Sequence, residues 1–234
     1  MTDEASRRAI LVAHGSPADP QPQEGWMMAL ATRVRLWLPG WQVAGTTLAL
    51  PGALEAALAA LPDAVIYPFF MAEGWFTRKT LPRRLQEAGA GGSEQLPAFG
   101  HDPGMADLLG QTAAAARVAH GLPADATLLL AAHGSQVSRA SATITESLAA
   151  RLRAAGPAPV VTGYVEEAPF LADAAAAIRG PALCLPFFAT RAGHVSDDVP
   201  HALRRAGFSG PLLPAIGEHP DAARMIAQAL MNGR

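Results

Sequence analysis

Only one cysteine, Cys184, and one lysine, Lys79, occur among the 234 residues, and aromatic side chains make up just 6% of the chain. A single cysteine excludes a disulfide within the chain, and its place inside "ALCLPFF" reads as that of a small buried hydrophobe. No apolar run approaches the length of a membrane span. The longest near the start, "AILVA", is too short for a signal-peptide core. The formal net charge of −2 leaves no overall basic field to attract nucleic acid. Neither "GxxxxGK[ST]" nor "GxGxxG" is present, so no nucleotide or organic cofactor is expected. These absences leave a cytoplasmic enzyme or binding protein, monomeric or homodimeric, whose 50% apolar content is ample for real cores.

What is present is written twice. "ILVAHGS" ends at Ser16 and "LLLAAHGS" at Ser135, a shift of 119 between His14 and His133. Gly45, Pro51, Pro68, Phe69, Phe70 and Pro82 then align without gaps on Gly163, Pro169, Pro186, Phe187, Phe188 and Pro200, each 118 later, and "LPAFGHDP" matches "LPAIGEHP" at a shift of 117. Four blocks in one order point to an internal duplication of domain size.

Within each copy, short apolar runs alternate with longer amphipathic stretches, the pattern of βα units. Strands are expected at 9–13, 42–48, 64–70 and 94–99, and again at 127–132, 159–165, 182–188 and 211–216. Helices are expected at 22–37, 52–61, 80–89 and 103–118, and again at 137–155, 169–179, 197–206 and 219–232. Continuous apolar strands suit a parallel sheet covered on both faces. The expected fold is α/β, with two similar doubly wound lobes at 1–121 and 122–234. Each lobe would be a four-stranded parallel sheet flanked by helices, with a cleft between them.

Parallel sheets bind ligands beyond the carboxyl ends of their strands. In the second copy those ends carry His133, the pair Glu166 and Glu167, and His194. Two imidazoles and a carboxylate converging on one rim form a site for a divalent metal such as Fe, Co, Ni or Zn. In the first copy His14 is retained, but Leu48 stands at the position of Glu166 and Phe76 at that of His194, so the ligand set is expected to survive only in the second lobe. Gly134 is required for a tight turn, and Ser135 can cap the following helix. Asp197 and Asp198 read first as charges at a helix N-terminus. "FTRKTLPRR" gathers Arg78, Lys79, Arg83 and Arg84 in the loop that lost its ligand, with Arg191 in the matching loop, and guanidinium groups grip carboxylates bidentately.

"LLLAAHGS", "EEAP", "LPFFATRAGHVSDDVP" and "LPAIGEHP" together resemble the sirohydrochlorin chelatases in their two-lobed form, over essentially the whole chain. The resemblance implies a chelatase-like fold and insertion of Co2+ or Fe2+, with Ni2+ as a further candidate, into a carboxylate-rich tetrapyrrole for sirohaem or cobalamin. It implies His133 and His194 as metal-binding catalytic groups, with Glu166, 33 residues after His133, as the third. Ser135, Arg78, Lys79 and Arg191 are the candidate contacts for substrate carboxylates. A non-catalytic metal or tetrapyrrole carrier is the alternative expectation, and a histidine-based phosphatase ranks below it.

Overall fold

The computed structural model describes residues 7–190 and 197–233. The first copy runs β1 (Arg8–Ala13), α1 (Pro20–Arg35), β2 (Gln42–Thr47), α2 (Ala53–Ala60), β3 (Val65–Pro68), α3 (Leu81–Glu87) and α4 (Met105–Ala119). The second runs β4 (Thr127–Ala132), α5 (Ala140–Ala155), β5 (Val160–Tyr164), α6 (Leu171–Ala177), β6 (Ala182–Pro186), α7 (Val199–Arg205) and α8 (Ala222–Asn232). Pro82 and Pro200, aligned in the duplication, each sit in the first turn of a helix, where a missing N–H costs nothing.

The strands form two parallel sheets of order β2-β1-β3 and β5-β4-β6. The central strands are buried almost throughout: β4 "TLLLAA" along its whole length, and β1 at every residue but the first. In the first sheet one face packs Ile10, Val12 and Ile66 against Leu54 and Leu58 of α2 and Leu81 and Leu85 of α3, while α1 covers β2 from the other side. Helices on both faces are the doubly wound arrangement.

The fourth strand expected in each copy is reduced to a single bridge, Ile66 to Gln95 and Cys184 to Leu212. The cause lies in the neighbouring strand. Ile66 donates to Glu94 and Leu96 donates back to Ile66. The next rung would need an amide at position 68, which is proline. In the second copy Cys184 donates to Pro211 and Leu213 to Cys184, and Pro186 ends the ladder in the same way. The sheets are therefore three-stranded, not four-stranded.

The pairing also corrects the alignment of the two copies. Ala13 lies opposite Thr47, and the matching Ala132 lies opposite Tyr164, so β2 and β5 correspond at a shift of 117 rather than 118. Gly45 and Gly163 consequently face opposite ways. A Cβ at Gly45 would overlap the carbonyl of Met27 on α1, whereas one at Gly163 would meet Leu171 on α6 at 3.0 Å. Thr46, not Gly45, stands level with Gly163.

Two compact units divide the chain: residues up to 102 together with those from 220 onward, and residues 103–219. The division thus differs from the expected boundary at 121/122, which follows the sequence repeat. In the second unit α4 packs on α5 and β6; in the first, α8 packs on α1. Met27, Leu30, Ala31 and Val34 of α1 and Ile226, Ala227 and Leu230 of α8 are buried at helical spacing.

Candidate functional site

At the end of β4 the chain turns through His133, Gly134 and Ser135. Gly134 has φ +71°, and a Cβ there would lie 2.8 Å from Cγ of Glu167 and 2.9 Å from Cβ of Tyr164, so both conformation and space demand glycine. Nδ1 of His133 lies 2.9 Å from the carbonyl oxygen of Gly134. A carbonyl only accepts, so Nδ1 carries a proton, and in the neutral ring this leaves the lone pair on Nε2, the arrangement found when a histidine ligates metal through one nitrogen and is oriented through the other. The Glu166 carboxylate lies 3.7 Å from Nδ1, and both side chains are more than one-third exposed.

Glu166 reaches His133 because of one additional residue. In the first unit Leu48 donates to Ala13 and Ala49 to His14. In the second, Val165 is shared between Ala132 and His133 while Glu166 donates to His133 at 2.9 Å. Three residues (48–50) separate Thr47 from Pro51, but four (165–168) separate Tyr164 from Pro169. Leu48 therefore matches Val165, not Glu166, which corrects the correspondence drawn from ungapped alignment. Ala49 alone occupies the place that Glu166 and Glu167 share, and this local bulge sends the two glutamates different ways. Glu167 is only 9% exposed, accepts the Ser135 N–H at 3.1 Å and pairs with Nη1 of Arg139 at 2.7 Å. Just before the bulge, Tyr164 donates its hydroxyl to Glu146 at 2.8 Å. Burial, and then that bond, push its phenol well above the usual range.

The first unit shows the matching position without the ligands. His14 likewise points Nδ1 at the carbonyl of Gly15, 2.7 Å away, and Phe76 lies edge-on to the imidazole with ring centroids 4.1 Å apart. Phe70 stacks near Phe76 at 6.5 Å, and Trp75 is 71% exposed. Of the cationic loop, Arg84 turns inward to Glu55 and the carbonyl of Leu48, both at 2.7 Å. Arg83 pairs with Glu87 and Arg78 with Glu73, while Lys79 is exposed.

His194 and Arg191 lie outside the described residues. His133 and Glu166 are brought together, while no group of three or more potential metal ligands is assembled among the described residues. Ser135 does not cap α5, which begins at Ala140; its hydroxyl accepts the Val137 N–H at 3.3 Å inside the turn. Asp198 directly precedes α7 and makes no side-chain capping bond. It borders, with Glu166, Asp173, His201 and Arg205, a cavity of 390 Å³ between α6 and α7. A larger hollow of 570 Å³ opens among His120, Arg179 and Gly210, at the opposite end of the strands from His133. Cys184 is fully buried and its thiol is pushed up by that burial, so it is no ligand. Sequence reasoning missed the Glu167 contacts, for which adjacent glutamates give no signal.

The CbiX family model matches residues 127–232, the copy that carries His133 and Glu166. Among solved structures, the chain is similar to CbiX, the terminal enzyme of sirohaem biosynthesis in denitrifying bacteria, at 47% identity and a TM-score of 0.90, over 97% of this chain and 100% of that one. It is similar in fold to SirB from Bacillus subtilis with Fe3+, at 15% identity and a TM-score of 0.74 over 96% and 94% of the two chains. The sirohydrochlorin chelatase SirB from Bacillus subtilis subspecies spizizenii, in complex with cobalt, gives 16% identity and a TM-score of 0.68 over 97% and 93%. No curated protein matches the chain.

Proposed function

The chain belongs to the CbiX family of chelatases, and we propose that it inserts Co2+ or Fe2+ into sirohydrochlorin, with His133, Glu166 and His194 holding the ion. One observation supports the inclusion of His194. Position 76 is its counterpart at a shift of 118, a shift that Phe69 and Phe187 also obey in their bonds to the central strand, and Phe76 touches the ring of His14. The contact of Phe76 with His14 supports choosing His194 as the partner of His133.

Insertion exchanges two pyrrole N–H protons for one divalent ion, so two protons must leave the macrocycle for each metal delivered. Neutral imidazole binds the ion through Nε2, and once the ion has passed to the macrocycle the same nitrogen is free to accept one of the pyrrole protons near neutral pH. Glu166, open to solvent beside His133, takes up the second proton and passes it to water. Few ligands, all nitrogen or oxygen, suit an ion that must be released as well as bound. The same donors accept Ni2+, and supply decides between the metals.

Within the second copy, Ser135 and Arg191 are the proposed contacts for the carboxylate-rich substrate. A cytoplasmic setting is part of the proposal. No helix among the described residues is long and apolar enough to cross a membrane.

The test is anaerobic incubation of the purified protein with sirohydrochlorin and Co2+ or Fe2+, followed by visible absorption. His133→Ala and His194→Ala are each expected to lower kcat/KM by about 100-fold or more, and His14→Ala by far less. A wild-type rate no faster than the uncatalysed reaction would identify a carrier rather than an enzyme; equal losses from all three variants would reject a single active copy.

A further inference from the structure

We infer that Glu167 is a positioning residue, holding the His133 turn in its metal-binding geometry by bridging the Ser135 amide and the Arg139 guanidinium. The inference rests on the metal-site reading above. It starts from an asymmetry in the glutamate pair: Glu166 is open beside the imidazole, whereas Glu167 is buried and fully engaged. One oxygen accepts the Ser135 N–H at 3.1 Å and the other accepts from Arg139 at 2.7 Å. Its Cγ occupies the space beside Gly134 that a side chain there would need. Gly134 is tied a second time, its N–H donating to Oγ of Ser141 at 3.2 Å. The backbone on both sides of the Gly134 carbonyl, which the His133 ring bonds, is thus fastened to α5 and to the residues just before it.

The first unit provides the contrast. Its matching turn is flanked by Ala49 and Thr47, and no carboxylate of the described residues reaches the turn's amides. The clamp therefore occurs in the copy that keeps the ligand glutamate and is missing from the copy that lost it. A general fold contact would be expected in both. An imidazole on a loose turn must be ordered each time it takes up an ion, and a pre-ordered one need not be. Removing a group that orients a ligand typically costs about 10- to 100-fold in metal affinity.

The experiment is Co2+ binding to the full-length protein by calorimetry, alongside steady-state insertion kinetics and thermal unfolding. Glu167→Ala is expected to weaken Co2+ binding about tenfold or more. Glu167→Gln retains an acceptor for the Ser135 amide and is expected to recover most of the affinity. Arg139→Ala, which frees one end of the clamp, is expected to lie between. Wild-type Co2+ affinity in a folded Glu167→Ala protein would overturn the inference, as would a loss in Glu167→Gln as large as in Glu167→Ala. If Glu167→Ala does not fold, wild-type affinity in Arg139→Ala overturns it instead. Failure of wild type itself to bind Co2+ or to insert it sinks the chelatase reading; wild-type activity with an indifferent Glu167 sinks only the clamp.

Discussion

Phe76 lies edge-on to His14, with ring centroids 4.1 Å apart and planes at 72°. A position 62 residues further along the chain is brought into contact with the strand-end histidine. In the ungapped alignment of the two copies, Phe76 stands where the second copy carries His194, so under the proposed assignment a phenyl ring takes the place of an imidazole. Phe76→His is therefore expected to create a second, weaker site for Co2+ or Ni2+, seen as an additional equivalent in calorimetric titration and abolished by His14→Ala. A stoichiometry unchanged by Phe76→His would show that contact between the rings is not enough to bind an ion.

The glycine after His133 should be irreplaceable for two separable reasons. Gly134→Ala combines left-handed strain with a clash against Glu167 and Tyr164. Gly121→Ala combines similar strain, at φ +62°, with open space. Residues with a Cβ lose about 1–2 kcal/mol in this conformation. The thermal midpoint should fall further in Gly134→Ala than in Gly121→Ala, and only the former should weaken Co2+ binding. Equal falls would mean that the Glu167 side chain simply moves aside.

Thr46 offers a gain in stability. The residue is 1% exposed and its hydroxyl has no hydrogen-bond partner among the described residues, on the face of β2 that Ala44 and Leu48 turn toward Leu54. A buried, unmade hydrogen bond costs about 1–3 kcal/mol, and valine keeps the shape without the hydroxyl. Thr46→Val should raise the thermal midpoint by a few degrees, at about 2–4 °C per kcal/mol for a chain of this size. A lowered midpoint would mean that the hydroxyl has an acceptor.

The Glu55–Arg84 pair predicts a dependence on pH. Burial pushes the Glu55 carboxyl up, but the Arg84 hydrogen bonds and charge, with a backbone N–H, outweigh it and hold the group below the usual carboxylate range. A depressed carboxyl adds stability that is complete above its unfolded value and is lost as pH falls through its folded value. Wild type should therefore melt above Glu55→Gln at pH 7, and the gap should close in acid. A gap constant between pH 7 and pH 3 would exclude the ionic contribution.

Much of this molecule could be read from one dimension. The βα alternation, the duplication and the convergence of His133 with a glutamate all follow from periodicities and repeats, because parallel strands send their carboxyl ends to one edge. The error in matching Leu48 to Glu166 came from the same source, since ungapped alignment cannot place an additional residue within "VEEAP". In a strand, a slip of one residue turns every side chain to the other face, as Gly45 and Gly163 demonstrate.

The sequence alone determined that two similar α/β halves exist and that only the second carries a glutamate and two histidines after its apolar runs, because those properties reside in residue order and spacing. Tertiary structure decided that the fourth strands shrink to single bridges, because Pro68 and Pro186 are set where amides are needed. It also decided which glutamate is open and which is buried, because a bulge is a property of two strands paired, not of either one written out.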